Sequence, residues 1–297
     1  MMAPADAARR GQMLVGAAAI AWSTAGPVQR SVDATPATQV AIRAGVAAVA
    51  LIAYLLWQRG RGTYAALRTI GTAGLIVAFT LALVSTVFIL ALDHTSVAHV
   101  LLFQAISPFL AALLAWLVMG ELVFARTWLA MAAALAGVAI MVGGSLGSGN
   151  ISGDALCVVM STGFAVILVI TRRHLEISMT PATAVGMVIA FTCTAPFSHF
   201  GGIAPGDFAL LAALGVGQMA LGLILFTAGA RLIPAAQAGL ITLLEIVLGP
   251  LWVWLLYRED PGVPTLAGGA VILAAVLLHA LADLRRPSGL MARAESL

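Results

Sequence analysis

Two ionisable residues stand well inside apolar stretches of this chain, Arg43 and Glu245. At the centre of a bilayer either would cost about 2.5–3.5 kcal/mol, so each needs a partner or a task. For Glu245 the roles are a carboxyl hydrogen-bonded between helices, or a group that takes up a proton or a substrate ammonium. Arg43 is read as a tie to backbone carbonyls, as a side chain reaching toward the near surface, or as a functional group. A single intramembrane cation argues against phosphate-bearing cargo, which asks for several basic groups. Gln237, Ile241 and Glu245 recur every four residues and so share one helix face. His99, Phe103 and Ser107 repeat that spacing in an earlier apolar run. His99 fits either a hydrogen-bonded interior position or a substrate or proton contact, and Phe103 either packing or an aromatic contact. Trp22, Ser23, Gly26 and Pro27 fall within "AWSTAGP", where glycine and proline free backbone groups that need protein or a wet cavity beside them. Trp22, Phe79, Phe88, Phe164 and Phe226 supply rings for stacking. Gln104 and Gln218 are polar groups in apolar runs and are expected to bond between helices.

Other chemistry finds little support. The His, Asp and Glu residues are scattered, with no HExxH and no GxSxG, which argues against an intramembrane enzyme. No Walker-type GxxxxGK[ST] is present. Cys157 and Cys193 lie in apolar runs and read as small buried hydrophobes. No metal or other cofactor is expected. A repeated pore motif, as a passive channel would carry, is not visible.

The elements that must position these residues are membrane helices. Of 297 residues 62% are hydrophobic and 9% charged, and the mean hydropathy is +1.06. A soluble domain carries about 25% charged residues. Ten apolar runs are long enough to span: 12–29, 37–57, 69–92, 96–119, 127–146, 155–171, 181–200, 208–230, 235–257 and 262–284. The first, behind Arg9 and Arg10, resembles a signal peptide but is read as a retained helix because nine more runs follow. All fifteen basic residues are arginine. With the N-terminus inside, twelve of them fall on the inner side and only Arg30 and Arg258 on the outer. That bias places both termini in the cytoplasm. With no basic stripe on a polar helix, nucleic-acid binding is not expected.

The tetrapeptide Thr-Pro-Ala-Thr occurs at Thr35 and again at Thr180, each time opening an apolar run, with Pro36 and Pro181 suited to a first helical turn. Gly11 and Gly153 precede the first and sixth runs. At a later offset of 138, Phe88 falls on Phe226, Ala98 on Ala236, Trp116 on Trp254 and Glu121 on Glu259. The order is consistent with a duplicated five-helix unit: residues 1–146, a glycine- and serine-rich linker at 147–154, and residues 155–297. Five is odd, so the second unit starts on the opposite side of the membrane, and the repeat is inverted. Trp116, Trp128, Trp252 and Trp254 lie near run ends and read as interface anchors.

"WSTAGP", "IRAG", "SPFLAALLAWLVMGE" and "LLEIVLGPLWVWLLYRE", in this order, resemble the EamA-type ten-helix exporters of the drug/metabolite transporter superfamily, over about residues 11–284. The branch they look most like is that of bacterial aromatic amino acid exporters. Ile246 stands where that family usually has proline, which appears here later as Pro250. The resemblance implies an all-α membrane protein, a basket of ten helices in two inverted repeats, with helices 1, 3, 4, 6, 8 and 9 around a central cavity. It implies export of small metabolites without ATP from the bacterial inner membrane by alternating access, amino acids first and drugs or other metabolites as the rival cargo. The residues expected to meet the substrate are Trp22, Ser23, Phe79, Phe88, His99, Phe103, Phe164, Gln237, Ile241 and Glu245. The bilayer and a small-molecule substrate are the expected partners, and the chain is expected to work as a monomer.

Overall fold

Thr35 shows how the chain opens a membrane helix. Its backbone is extended (φ −62°, ψ 151°), and its hydroxyl accepts from the Thr38 amide at 3.4 Å. Pro36 fills the first turn, where no amide donor is needed. The structure is a computed structural model that describes residues 4–25, 28, 31–143 and 151–284, and every regular element among them is helical. The long helices are α1 (Pro4–Ser23), α2 (Pro36–Arg59), α3 (Gly71–His94), α4 (Val97–Met119) and α5 (Ala125–Val142). The second half has α6 (Ile151–Arg173), α7 (Thr180–Thr194), α8 (Pro205–Ala230), α9 (Ala235–Tyr257) and α10 (Gly262–Leu284). A short surface helix, Gly62–Arg68, joins α2 to α3.

Among the described residues nine helices are long and apolar enough to cross a membrane, α2 to α10. The first expected run differs. Its helix begins at Pro4, so Asp6, Arg9 and Arg10 share it with the apolar residues. Gly26, Pro27 and Arg30, and with them the break expected there, lie outside the described residues, as do residues 144–150 and the three arginines beyond 284. Ile151–Asp154, expected to be linker, form the first turn of α6, where Asp154 meets the positive helix end. The repeated tetrapeptide is not used identically. Thr180 is itself the first residue of α7 and makes no cap bond. The run expected to 200 leaves the α-helix at Thr194, because Pro196 cannot donate, and continues as a 3₁₀ turn.

Packing pairs the two halves. α3 lies on α6 and α1 on α8; α4 lies on α6 and α1 on α9; α3 lies on α7 and α2 on α8; α2 meets α7, α4 meets α9 and α5 meets α10. Adding five to each first-half number and subtracting five from each second-half number returns the same set of pairs. Small residues set the close approaches, as lipid offers no hydrophobic drive between helices. A Cβ on Gly11 would lie 2.8 Å from both Leu232 and Ile233, and one on Gly153 would lie 2.5 Å from Thr95 and 3.0 Å from the His94 carbonyl. His94 and Thr95 are the positions 138 before Leu232 and Ile233. Gly137 and Gly268 face each other across α5 and α10, and a Cβ on Gly268 would come within 2.2 Å of the Gly137 carbonyl. Almost three turns away along the same two helices, Thr127 Oγ1 and His279 Nε2 meet at 2.8 Å, so the buried histidine also joins α10 to α5. Large apolar side chains such as Trp57, Leu129 and Leu278 cover the outside, as a lipid-facing surface requires.

Candidate functional site

Four helices supply the central polar groups, and three of them, α4, α8 and α9, are locally irregular. Pro108 sits inside α4 and has no amide to give the Gln104 carbonyl. Ser107 Oγ donates to that carbonyl at 2.7 Å. The Gln104 side chain is left to cross to α9, where its Nε2 donates to Glu245 Oε1. α9 is broken at Leu243, between segments Ala235–Thr242 and Leu244–Tyr257. The Leu243 and Ile246 amides fall back on carbonyls three residues earlier, at 3.2 and 3.1 Å. Glu245 therefore stands in the first turn of the second segment. α8 is irregular too. Leu214–Leu221 form a π stretch, which carries Gln218 toward α2. Gln218 Oε1 accepts from Arg43 Nη2 at 2.7 Å.

These groups line one cavity of about 150 Å³. α1 contributes Trp22; α2 Val40, Arg43 and Ala44; α3 Leu81, Val84, Ser85 and Phe88; α4 Gln104 and Ser107. From the second half come Met160, Ser161, Phe164 and Ile167 of α6, Gln218, Met219, Leu223 and Phe226 of α8, and Glu245 of α9. Six of these seven helices are the ones implied by the resemblance, and α2 is the addition. The wall is mostly apolar. Trp22, Phe164 and Phe226 form a ring cluster with centroids 5.0 Å apart for Trp22–Phe226, 5.4 Å for Phe164–Phe226 and 6.0 Å for Trp22–Phe164. Gly222 makes room for the indole: a Cβ there would lie 2.3 Å from Trp22 Nε1. Such a wall offers ring faces and edges to an aromatic guest.

Of the expected site residues, Trp22, Phe88, Phe164 and Glu245 are on this wall. Ser23 is buried one residue further on; its hydroxyl donates to the Ile20 carbonyl at 2.7 Å and accepts from Trp252 Nε1 at 2.9 Å, which ties α1 to α9. Trp252, expected as an interface anchor, thus has its indole nitrogen turned inward. Phe79 is 59% exposed on the outer surface. It stands nine residues from Phe88, half a turn out of phase at 3.6 residues per turn. His99 bonds Ser96 Oγ at 2.9 Å at the start of α4. Phe103 packs toward Val87, Ala91, Val100, Cys157 and Met160, and its carbonyl accepts from Ser161 Oγ at 2.8 Å. Gln237 and Ile241 are buried in the first segment of α9, off the cavity wall. The break at Leu243 ends the continuous face that the spacing of four assumed. Arg43, Gln104, Gln218 and Phe226 line the wall without standing in the expected set. Their polarity inside apolar runs is the signal for the first three.

One end of the bundle is tied together by charged groups. Arg172 Nη1 donates to the Arg231 carbonyl at 2.9 Å, and Arg173 Nη1 to the Val118 carbonyl at 3.4 Å. Glu121, just past α4, has its carboxyl raised above the usual range by burial, with Arg172 pulling it back down. Among the described residues no group of three His, Cys, Asp or Glu residues is arranged to hold a metal ion.

A family model described as the EamA-like transporter family matches the chain twice, over residues 9–143 and 151–281. No curated protein matches the chain. A solved structure described only as the crystal structure of a protein is 19% identical, with a TM-score of 0.80 over 93% of this chain and 99% of its own. At that identity the likeness concerns the fold alone.

Proposed function

The chain belongs to the EamA-like transporter family, and from that premise we propose that it exports amino acids, aromatic ones among them, by alternating access. The family is one of membrane transporters of small molecules. The observation that carries the finer reading is the composition of the cavity. One acid, Glu245, and one base, Arg43, stand among apolar and aromatic walls. A near-neutral site with one group of each sign suits a zwitterion. The ring cluster of Trp22, Phe164 and Phe226 suits a large apolar side chain, at about 0.5–1.5 kcal/mol per ring pair beyond area burial. In this reading Glu245 meets the ammonium, or a proton when the site is empty.

The ten-helix count, with α1 as the tenth span, belongs to the same proposal, as does the inverted duplication with halves 1–146 and 155–297. Pairings that survive the exchange of halves support it, and so does the double family match. The arginine bias supports a multi-pass protein of a bacterial inner membrane with both termini inside. A reporter fused at residue 150 is then periplasmic, and reporters at 62 and 174 are cytoplasmic; a cytoplasmic signal at 150 removes the inverted topology.

The decisive experiment uses proteoliposomes of the purified protein. Labelled phenylalanine or tryptophan is taken up, and excess unlabelled aromatic amino acid competes. Folded protein that moves an unrelated solute and no aromatic amino acid ends the substrate assignment.

A further inference from the structure

Arg43 is the least explained group in the molecule. It is 6% exposed on α2 and lines the cavity. A guanidinium carries five N–H donors in a fixed fork. Its one hydrogen bond shown is from Nη2 to Gln218 Oε1 at 2.7 Å, and Nε is buried without a partner. Among the described residues no Asp or Glu forms an ion pair with it. Gln218 is neutral, so it orients the cation and does not neutralise it. A structural tie would spend the donors on backbone carbonyls, and the bond shown goes to a side-chain amide instead. The base of Arg43 is held firmly as well. A Cβ on Gly215 would lie 2.9 Å from the Arg43 carbonyl, so the α2 and α8 backbones touch there. A buried cation with unspent donors on a cavity wall lacks an anion, and a planar carboxylate matches its fork.

We propose that Arg43, oriented by Gln218, is the carboxylate-binding pole of the cavity, and that the cavity selects molecules bearing both a free carboxylate and a free ammonium group. This deepens the amino-acid reading and rests on it. The second pole is Glu245, which lines the same cavity and is held by the Gln104 side chain. The two poles have one design: an ionisable side chain on the cavity wall, held by the amide of a glutamine on a neighbouring helix. A phosphate dianion fits poorly, because it meets one cation and is repelled by Glu245. An amine without a carboxylate leaves Arg43 uncompensated, and an acid without an amine leaves Glu245 so.

The test compares ligands first and variants second, by calorimetric titration of the purified full chain. On the unmodified protein phenylalanine binds at least about tenfold more tightly than phenylalaninamide, the loss expected when a charge-assisted bidentate contact is removed. Arg43→Gln weakens phenylalanine and leaves phenylalaninamide unchanged, so that the preference shrinks to within about threefold, while Arg43→Lys keeps part of it because the charge remains and the fork is lost. Equal binding of the two ligands to the unmodified protein overturns the proposal, whether or not Arg43→Gln folds. So does a full preference retained in folded Arg43→Gln. If no amino acid binds but 3-phenylpropionate does in an Arg43-dependent way, the carboxylate pole stands and the amino-acid reading falls. If phenethylamine binds and no carboxylate does, the pole itself falls.

Discussion

α4 and α9 are the same helix written twice, and the structure treats them differently. At the offset of 138, His99, Leu102, Phe103 and Ser107 correspond to Gln237, Leu240, Ile241 and Glu245. In the opening turns of α4 Val100 is buried while His99 and residues 101–104 are half-buried, whereas every residue of α9 from Ala235 to Leu243 is buried. α4 stays continuous through Pro108 because Ser107 fills the vacant carbonyl. α9 breaks at Leu243 and presents Glu245 at the start of a new helix. The first copy lends an amide and the second a carboxyl, and the contact between them lies in the cavity lining. The family model matches both halves. The difference between the copies is where the charge and the broken backbone lie, and one copy is sealed in the packing where the other is open.

That contrast is tested most severely by truncating the same residue in each copy. Leu240 is fully buried and Leu102 is half-buried. Leu240→Ala should cost about 2–5 kcal/mol of stability, and Leu102→Ala under about 1 kcal/mol. Equal drops in Tm would remove the asymmetry. Next in size is the polar position. Glu245→Gln should stay folded and lose at least about tenfold in transport, about 1.4 kcal/mol of transition-state stabilisation. Ser107→Ala at the equivalent position should lose about 1 kcal/mol of stability with its hydrogen bond and keep most of its transport. Intact transport in Glu245→Gln with a lowered Tm would make the carboxyl a structural bond only. The smallest effect is expected where α4 ends. The raised carboxyl of Glu121 favours the protonated folded state, so its contribution is fully present below the usual value of 4.5 and is lost as pH rises. Glu121→Gln should therefore raise Tm slightly at neutral pH, with the gain vanishing toward about pH 4. A gain that grows on acidification would reverse the assigned cause.

The spans were legible because lipid demands one thing of each, length in apolar residues. Nine of the expected runs coincide with helices to within a few residues, except where Pro196 ends α7 early and where α6 takes over the linker's last turn. The acid and the base were legible by the same rule, as intrusions. The face built from Gln237, Ile241 and Glu245 was not, since spacing describes a continuous helix and nothing at Leu243, neither glycine nor proline, announces a break. Pro250 advertises one and leaves its segment helical. The place of Phe79 off the wall was legible too: its phase against Phe88 already turns it away. The π stretch around Gln218 has no local signature in "LGVGQMAL".

By itself, then, the sequence determined how many apolar stretches this chain carries, that they recur in two matching sets, and that one carboxyl and one guanidinium are placed among them. Each follows from residue type and order, because a bilayer filters segments one at a time. Tertiary structure decided which neutral amide each charge meets, Gln218 for Arg43 and Gln104 for Glu245. A polar group in a membrane can be satisfied only by the helix that packs beside it. Which helix that is depends on glycine contacts and backbone breaks far along the chain from either charge.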